Sequence, residues 1–130
     1  MAVQLTAGGP EVGLVVRDPE PMLHFYRDFL GLPLDQEREF PGFHLWWLRC
    51  AGGYIKLVHL DQTPGAANLP NVWEATGLRY ITLRVDNPEE VAAAVSSAGG
   101  RVAYSRTTDE LTQAMLQDPE GNHVEVVRWH

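Results

Sequence analysis

Glu125 sits in the middle of His123-Val124-Glu125-Val126-Val127-Arg128-Trp129. Side chains there alternate with strand period, so Glu125 falls on the face opposite Val124 and Val126, the valines suited to a core. Sliding the sequence until Glu11 falls on Tyr80 aligns Glu11–Glu20 with Tyr80–Glu89. Without a gap, the same shift matches Gly31 to Gly100, Gly52 to Gly121, Lys56 to Glu125 and Val58 to Val127. One supersecondary unit is therefore used twice. Glu11, Lys56, Tyr80 and Glu125 all lie opposite the apolar face of their own strand. A carboxylate can act as a general base, and a phenol or an ammonium as acid or electrostatic stabiliser. Glu11, Tyr80 and Glu125 are accordingly the catalytic candidates.

The elements that position these groups follow from spacing. Glu11 to Arg17 alternates as a strand. Asp18-Pro19 reads as a helix start, with Asp as N-cap and Pro in the first turn. Met22, Phe25, Tyr26 and Leu30 recur at helical spacing, and Gly31 supplies the stop. Phe43–Cys50 and Tyr54–Leu60 are strands joined by the turn signal Ala51-Gly52-Gly53. Residues 61–77, with Pro64, Gly65, Pro70 and Asn71, form a linker whose bulky anchor is Trp73. A second strand–helix–strand–strand–strand series follows. It comprises Leu78–Val85, a helix over Pro88–Ala98 packed through Val91, Ala94 and Val95, then Val102–Arg106, Leu111–Gln117 and the final strand. Asp118-Pro119-Glu120-Gly121-Asn122 is a turn.

At 130 residues the chain has the length of one domain. No apolar run is long enough to span a membrane, and Met1–Leu5 lacks the features of a signal peptide. Cys50 is the single cysteine, which excludes an intrachain disulfide and a cysteine metal cluster, and a cytoplasmic setting is expected. A net charge of −7 disfavours nucleic acid and favours cationic ligands.

Three motifs resemble the vicinal oxygen chelate superfamily, which holds glyoxalase I, methylmalonyl-CoA epimerase, extradiol dioxygenases and bleomycin-resistance-type drug-binding proteins. They are Val12–Asp18, His24–Leu32 and Asp118–Asn122, and the resemblance spans roughly residues 10–128. It implies an α+β fold of two tandem βαβββ modules (about 10–60 and 78–130) forming a curved, barrel-like mixed sheet with a ligand cleft. It also implies that metal-dependent members take ligands at the places held here by Glu11, Lys56, Tyr80 and Glu125. Glu11 and Glu125 suit a divalent cation. Lys56 carries only donors, and Tyr80 would have to lose a proton with a pKa of about 10. The expectation is thus a site without metal or other cofactor, in which the Lys56 ammonium lies between Glu11 and Glu125 and the Tyr80 hydroxyl completes the hydrogen bonds. The alternative is a divalent ion held by Glu11, His123 and Glu125; His59 lies on the other face from Lys56.

Aromatic and polar residues are expected to complete the cleft. Trp46 and Trp47 are adjacent on a strand, so one of them faces it. Phe43, Tyr54, Trp73 and Trp129 add aromatic surface, and Arg17, Thr82 and Arg84 add polar groups. Two functions follow. One is metal-free sequestration of an aromatic or cationic natural product such as an antibiotic. The other is a lyase, isomerase or epimerase with Glu11 or Glu125 as base. By the resemblance the chain is a homodimer.

Overall fold

The computed structural model describes residues 1–6 and 8–130; Ala7 lies outside them. The two repeats form two four-stranded mixed sheets. In the first, strands β1 (Glu11–Val15), β2 (Leu34–Phe40), β3 (Phe43–Cys50) and β4 (Gly53–Leu60) lie in the order β1-β4-β3-β2. In the second, β5 (Tyr80–Arg84), β6 (Arg101–Thr107), β7 (Leu111–Gln117) and β8 (His123–Trp129) lie in the order β5-β8-β7-β6. β1 runs parallel to β4 and β5 parallel to β8, while the other pairs are antiparallel. The α+β architecture of two βαβββ modules is as the pattern predicts.

Each sheet buries one face against a helix. Val12, Leu14, Ile55, Leu57, Trp46 and Leu48 share a face by register. All of these but Val12 meet Met22, Phe25 and Tyr26, which are fully buried, in one core with Val95, Ala98, Ala114, Leu116, Val124 and Val126 of the second module. That core settles which tryptophan looks outward. Trp46 is buried and stacks on His44, whereas Trp47 pairs with Lys56 on the helix-free face.

The helices depart from the expected outline. Helix α1 (Pro19–Leu23) passes into a π-helical segment, His24–Phe29, through the bond from Leu30 N–H to Phe25 O at 2.9 Å. The wider turn buries the consecutive Phe25 and Tyr26 together, their rings edge to face with centroids 5.0 Å apart. Helix α2 (Pro88–Ala94) tightens into a 3₁₀ turn, Val95–Ala98, so Val95 is buried while Ala94 is exposed. Gly99 ends it at φ 80°, the left-handed conformation glycine adopts without strain. Asp18 does not cap α1: its side chain makes no capping bond. Instead the Glu120 carboxylate of the second module accepts the Arg17 and Asp18 N–H groups at 2.7 and 2.9 Å.

A second clip joins the modules below the surface. The Tyr26 hydroxyl donates to Asp118 Oδ2 at 2.6 Å, with Tyr26 at 0% and Asp118 at 4% exposure. Asp118 also accepts the Glu120 and Asn122 N–H groups and the Asn122 side-chain amide. A buried carboxylate needs this many donors, and the Asp118–Asn122 turn supplies most of them. The linker is fixed differently from expectation as well. Val72, 3% exposed, is its anchor, while Trp73 is 63% exposed and rests edge-on against Tyr80, centroids 5.8 Å apart.

Candidate functional site

Strand register gathers the candidate residues on the helix-free faces, one group per module. On the first sheet Glu11 pairs with Tyr54, Tyr54 with Arg49, Lys56 with Trp47, and Leu60 with Phe43. Lys56 Nζ lies 3.8 Å from Glu11 Oε1, and both side chains are partly exposed. At one end of this face Asp35 accepts the Tyr54 hydroxyl at 2.8 Å and the Arg49 guanidinium. The Tyr54 hydrogen bond foremost, together with Arg49, holds the Asp35 carboxyl below its ordinary range. Gly13, opposite Lys56, leaves open space where a side chain would stand.

On the second sheet Tyr80 pairs with His123, Thr82 with Glu125, and Arg84 with Val127. Glu125 is satisfied within its own sheet. Thr82 Oγ1 donates to Oε1 at 3.0 Å, and Gln113 Nε2 donates to Oε2 at 2.9 Å. Arg106 Nε in turn donates to Gln113 Oε1 at 3.0 Å. Tyr104 stands in the same row as Glu125, across Met115. Burial first, and then the Glu125 charge, push its phenol above the usual value. His123 is 5% exposed and lies 3.1 Å from Gln117 Nε2, which also donates to Pro70 O. Burial, followed by the charges of Arg79 and Arg101, lowers the His123 pKa from its ordinary value.

This geometry corrects the expected bridge. Lys56 reaches Glu11 alone, and among the described residues no hydrogen bond or ion pair links Lys56 or Glu11 to Glu125 or Tyr80. The physical reason is local: Thr82 and Gln113 stand one strand away and satisfy Glu125 before a distant ammonium is needed. Tyr80 packs on Trp73 instead of completing a network with Lys56. Trp46, expected as a cleft candidate, belongs to the core. Arg17 is held by Pro64 O at 3.1 Å at the end of its strand. Trp129 pairs with Leu111 on the second helix-free face and is exposed.

The donor set does not suit the metal of the metal-dependent relatives. Two of its four places hold an ammonium and a phenol, and the carboxylates at the other two are engaged by Lys56 and by Thr82 with Gln113. Among the described residues no three His, Cys, Asp or Glu side chains converge, so Glu11, His123 and Glu125 are not brought together within one chain.

Residues of the edge strands β1 and β5 together line two cavities. One, of about 290 Å³, is lined by Gly13, Leu14, Leu78, Tyr80, Asn122 and His123 among others. The other, about 520 Å³, includes Val12, Leu32, Tyr54, Ile81, Thr82 and Arg84. Sequence reading missed Gln113, Tyr104, Arg101 and Arg106. The signal available was the alternation of Tyr104 with Arg106 and of Gln113 with Met115, which only the β6–β7 register connects to Glu125.

Two repeats with these topologies, each with one sheet face left free of helices, are matched by one family. The profile of the Glyoxalase/Bleomycin resistance protein/Dioxygenase superfamily covers residues 9–126. The chain belongs to this superfamily. A search of curated proteins finds no match. Among solved structures, a glyoxalase family protein from Bacillus cereus superposes with a TM-score of 0.83 at 15% identity, covering 99% of this chain and 98% of that one. TnmS3, an antibiotic binding protein from Streptomyces sp. CB03234, gives 0.66 at 22% identity, with 97% and 96% covered. The trypanothione-dependent glyoxalase I of Leishmania major gives 0.73 at 18% identity, with 91% and 84% covered. At these identities the likeness to this superfamily's solved members is one of fold. Among the described residues no helix is long and apolar enough to cross a membrane.

Proposed function

We propose that this superfamily member binds and sequesters a small aromatic molecule, an antibiotic or similar natural product, without a resident metal. One observation carries the reading: the acidic groups at the superfamily's ligand places are engaged by the chain's own donors. Glu125 takes Thr82 and Gln113, and Glu11 lies beside Lys56. Trp47, Tyr54, Tyr80 and Tyr104 on the helix-free faces supply stacking surface, and such sites hold flat ligands by aromatic walls with a few placed polar groups. The antibiotic-binding likeness supports the same class. The exposed apolar side chains Val15, Trp73, Leu78 and Tyr80 fit a homodimer in which a second copy brings the two kinds of face together. A cytoplasmic setting suits the lone, partly buried Cys50.

Metal analysis of protein purified without chelator tests the reading. The expected result is far less than one metal per chain. Stoichiometric zinc, nickel, iron or manganese overturns it and favours the lyase, isomerase or epimerase alternative, with Glu11 or Glu125 as base. Tryptophan fluorescence against a panel of aromatic antibiotics is expected to show saturable quenching by at least one of them, and silence across the panel overturns sequestration.

A further inference from the structure

The charges are sorted by face, against the sign of the whole chain. On the second module's helix-free face, β5, β6 and β8 place Arg84, Arg106 and Arg101 around a single carboxylate, Glu125. Glu125 spends an acceptor on each of Thr82 and Gln113, and no ion pair involves these arginines among the described residues. The other acids of this module lie off these strands: Asp86 two residues past Arg84, Glu89 bound to Arg128 on the helix side, Glu90 beside Asn87, Asp109 and Glu110 in the turn just past β6, and Asp118 and Glu120 in the turn that clips the modules. On the strands of this face three arginines thus stand with one carboxylate, although the whole chain carries a net charge of −7.

We propose that this face recognises an anionic aromatic ligand, with Arg84 and Arg106 reading its charge. Arg84, Val127, Gln113 and Arg106 form one row across the four strands. At about 4.8 Å per strand the two arginine backbones stand about 14 Å apart. Arg106 reaches inward to Gln113; the two arginines are exposed, while Val127 and Gln113 between them form a buried floor. Gln113 orients Arg106 through Nε and leaves its terminal nitrogens for a ligand. A guanidinium fork pairs with a carboxylate, sulfonate or phenolate through charge-assisted hydrogen bonds. The neighbouring rows carry Tyr104 on one side and Trp129 on the other, so a flat ring lying along the row meets aromatic surface at both edges. The proposal deepens the binding reading above and depends on it. It reverses the ligand charge that composition suggests.

Equilibrium dialysis with three matched probes separates the two ideas: anthraquinone-2-carboxylate, anthraquinone-2-carboxamide and 2-(aminomethyl)anthraquinone. The carboxylate is expected to bind roughly tenfold or more tighter than the carboxamide, the worth of one charge-assisted contact. That preference is expected to vanish in the Arg84→Gln/Arg106→Gln double variant. Equal binding of carboxylate and carboxamide overturns the charge assignment and leaves sequestration standing, as does tighter binding of the ammonium probe. Binding of none of the three to the unmodified protein overturns both. Sedimentation of the double variant covers the remaining occupant: a changed oligomeric state means that a second copy uses these arginines, and overturns the proposal.

Discussion

Tyr26→Phe removes one oxygen and nothing else, because the ring stays packed at 0% exposure between Phe25 and the sheets. The lost bond, 2.6 Å to Asp118 Oδ2, has a charged acceptor. Hydrogen bonds of that kind contribute about 1.5–3 kcal/mol net. Entropies of unfolding near 2 cal/mol/K per residue give a chain of this length a fall of about 4 °C in Tm for each kcal/mol, hence roughly 6–11 °C. The pH dependence discriminates further. Burial raises the Asp118 pKa, while the Tyr26 hydroxyl, followed by Asn122 and the backbone, pulls it back. A donor that lowers a folded-state carboxyl pKa contributes fully above that pKa, and its contribution fades as pH falls through it. Urea denaturation of both proteins at neutral pH and near pH 4 should show the gap narrowing in acid. A loss under about 0.5 kcal/mol at neutral pH, or a gap that widens in acid, would refute the account of Asp118 as an ionised group held by Tyr26.

Glu120→Ala should cost about 1–2 kcal/mol in urea unfolding, since the Arg17 and Asp18 N–H groups lose their acceptor, and Glu120→Gln, which keeps one oxygen, should cost less. Gly100→Ala puts a methyl 2.5 Å from Gln117 O and 2.7 Å from Phe25 Cε2, so a loss of about 1–3 kcal/mol is expected, while Gly13→Ala, with nothing within 4 Å, leaves the denaturation midpoint nearly unchanged. Burial foremost, with Arg79 and Arg101, depresses the His123 pKa below its unfolded value. Its stability contribution is therefore present above about pH 6.5 and lost as pH falls towards the folded pKa, and His123→Gln should flatten that part of a thermal-stability profile.

Most of the fold was legible because the repeat is strong. Glu11 and Tyr80 both open strands, and Lys56 and Glu125 occupy matching positions in β4 and β8. Alternation correctly put Thr82, Arg84 and His123 with Glu125, and His59 away from Lys56. It could not orient Trp46 against Trp47, since a period of two offers both faces and only the helix decides which one is buried. The anchoring of the entry to α1 was out of reach for another reason: the acceptor of the Arg17 and Asp18 N–H groups, Glu120, stands about a hundred residues away, where local propensity carries no information. Within one chain the Lys56–Glu125 bridge does not form, because shared position in a repeat fixes the face of a strand and not the reach of a side chain. Charge sorting needed the β6–β7–β8 register before composition meant anything locally.

The two clips at the Asp118 turn break the equivalence of the halves. Moved back by one repeat, Asp118 and Glu120 fall on Arg49 and Ala51; moved forward, Tyr26 falls on Val95. The turn of the first half can therefore return no such bond to the second helix. Among the described residues dependence runs one way: the leading half borrows the anchor of its helix entry from the trailing half and lends none. Severed at the linker, the leading half would forfeit that anchor and its buried phenol partner together, and the trailing half would be left with an orphaned acid.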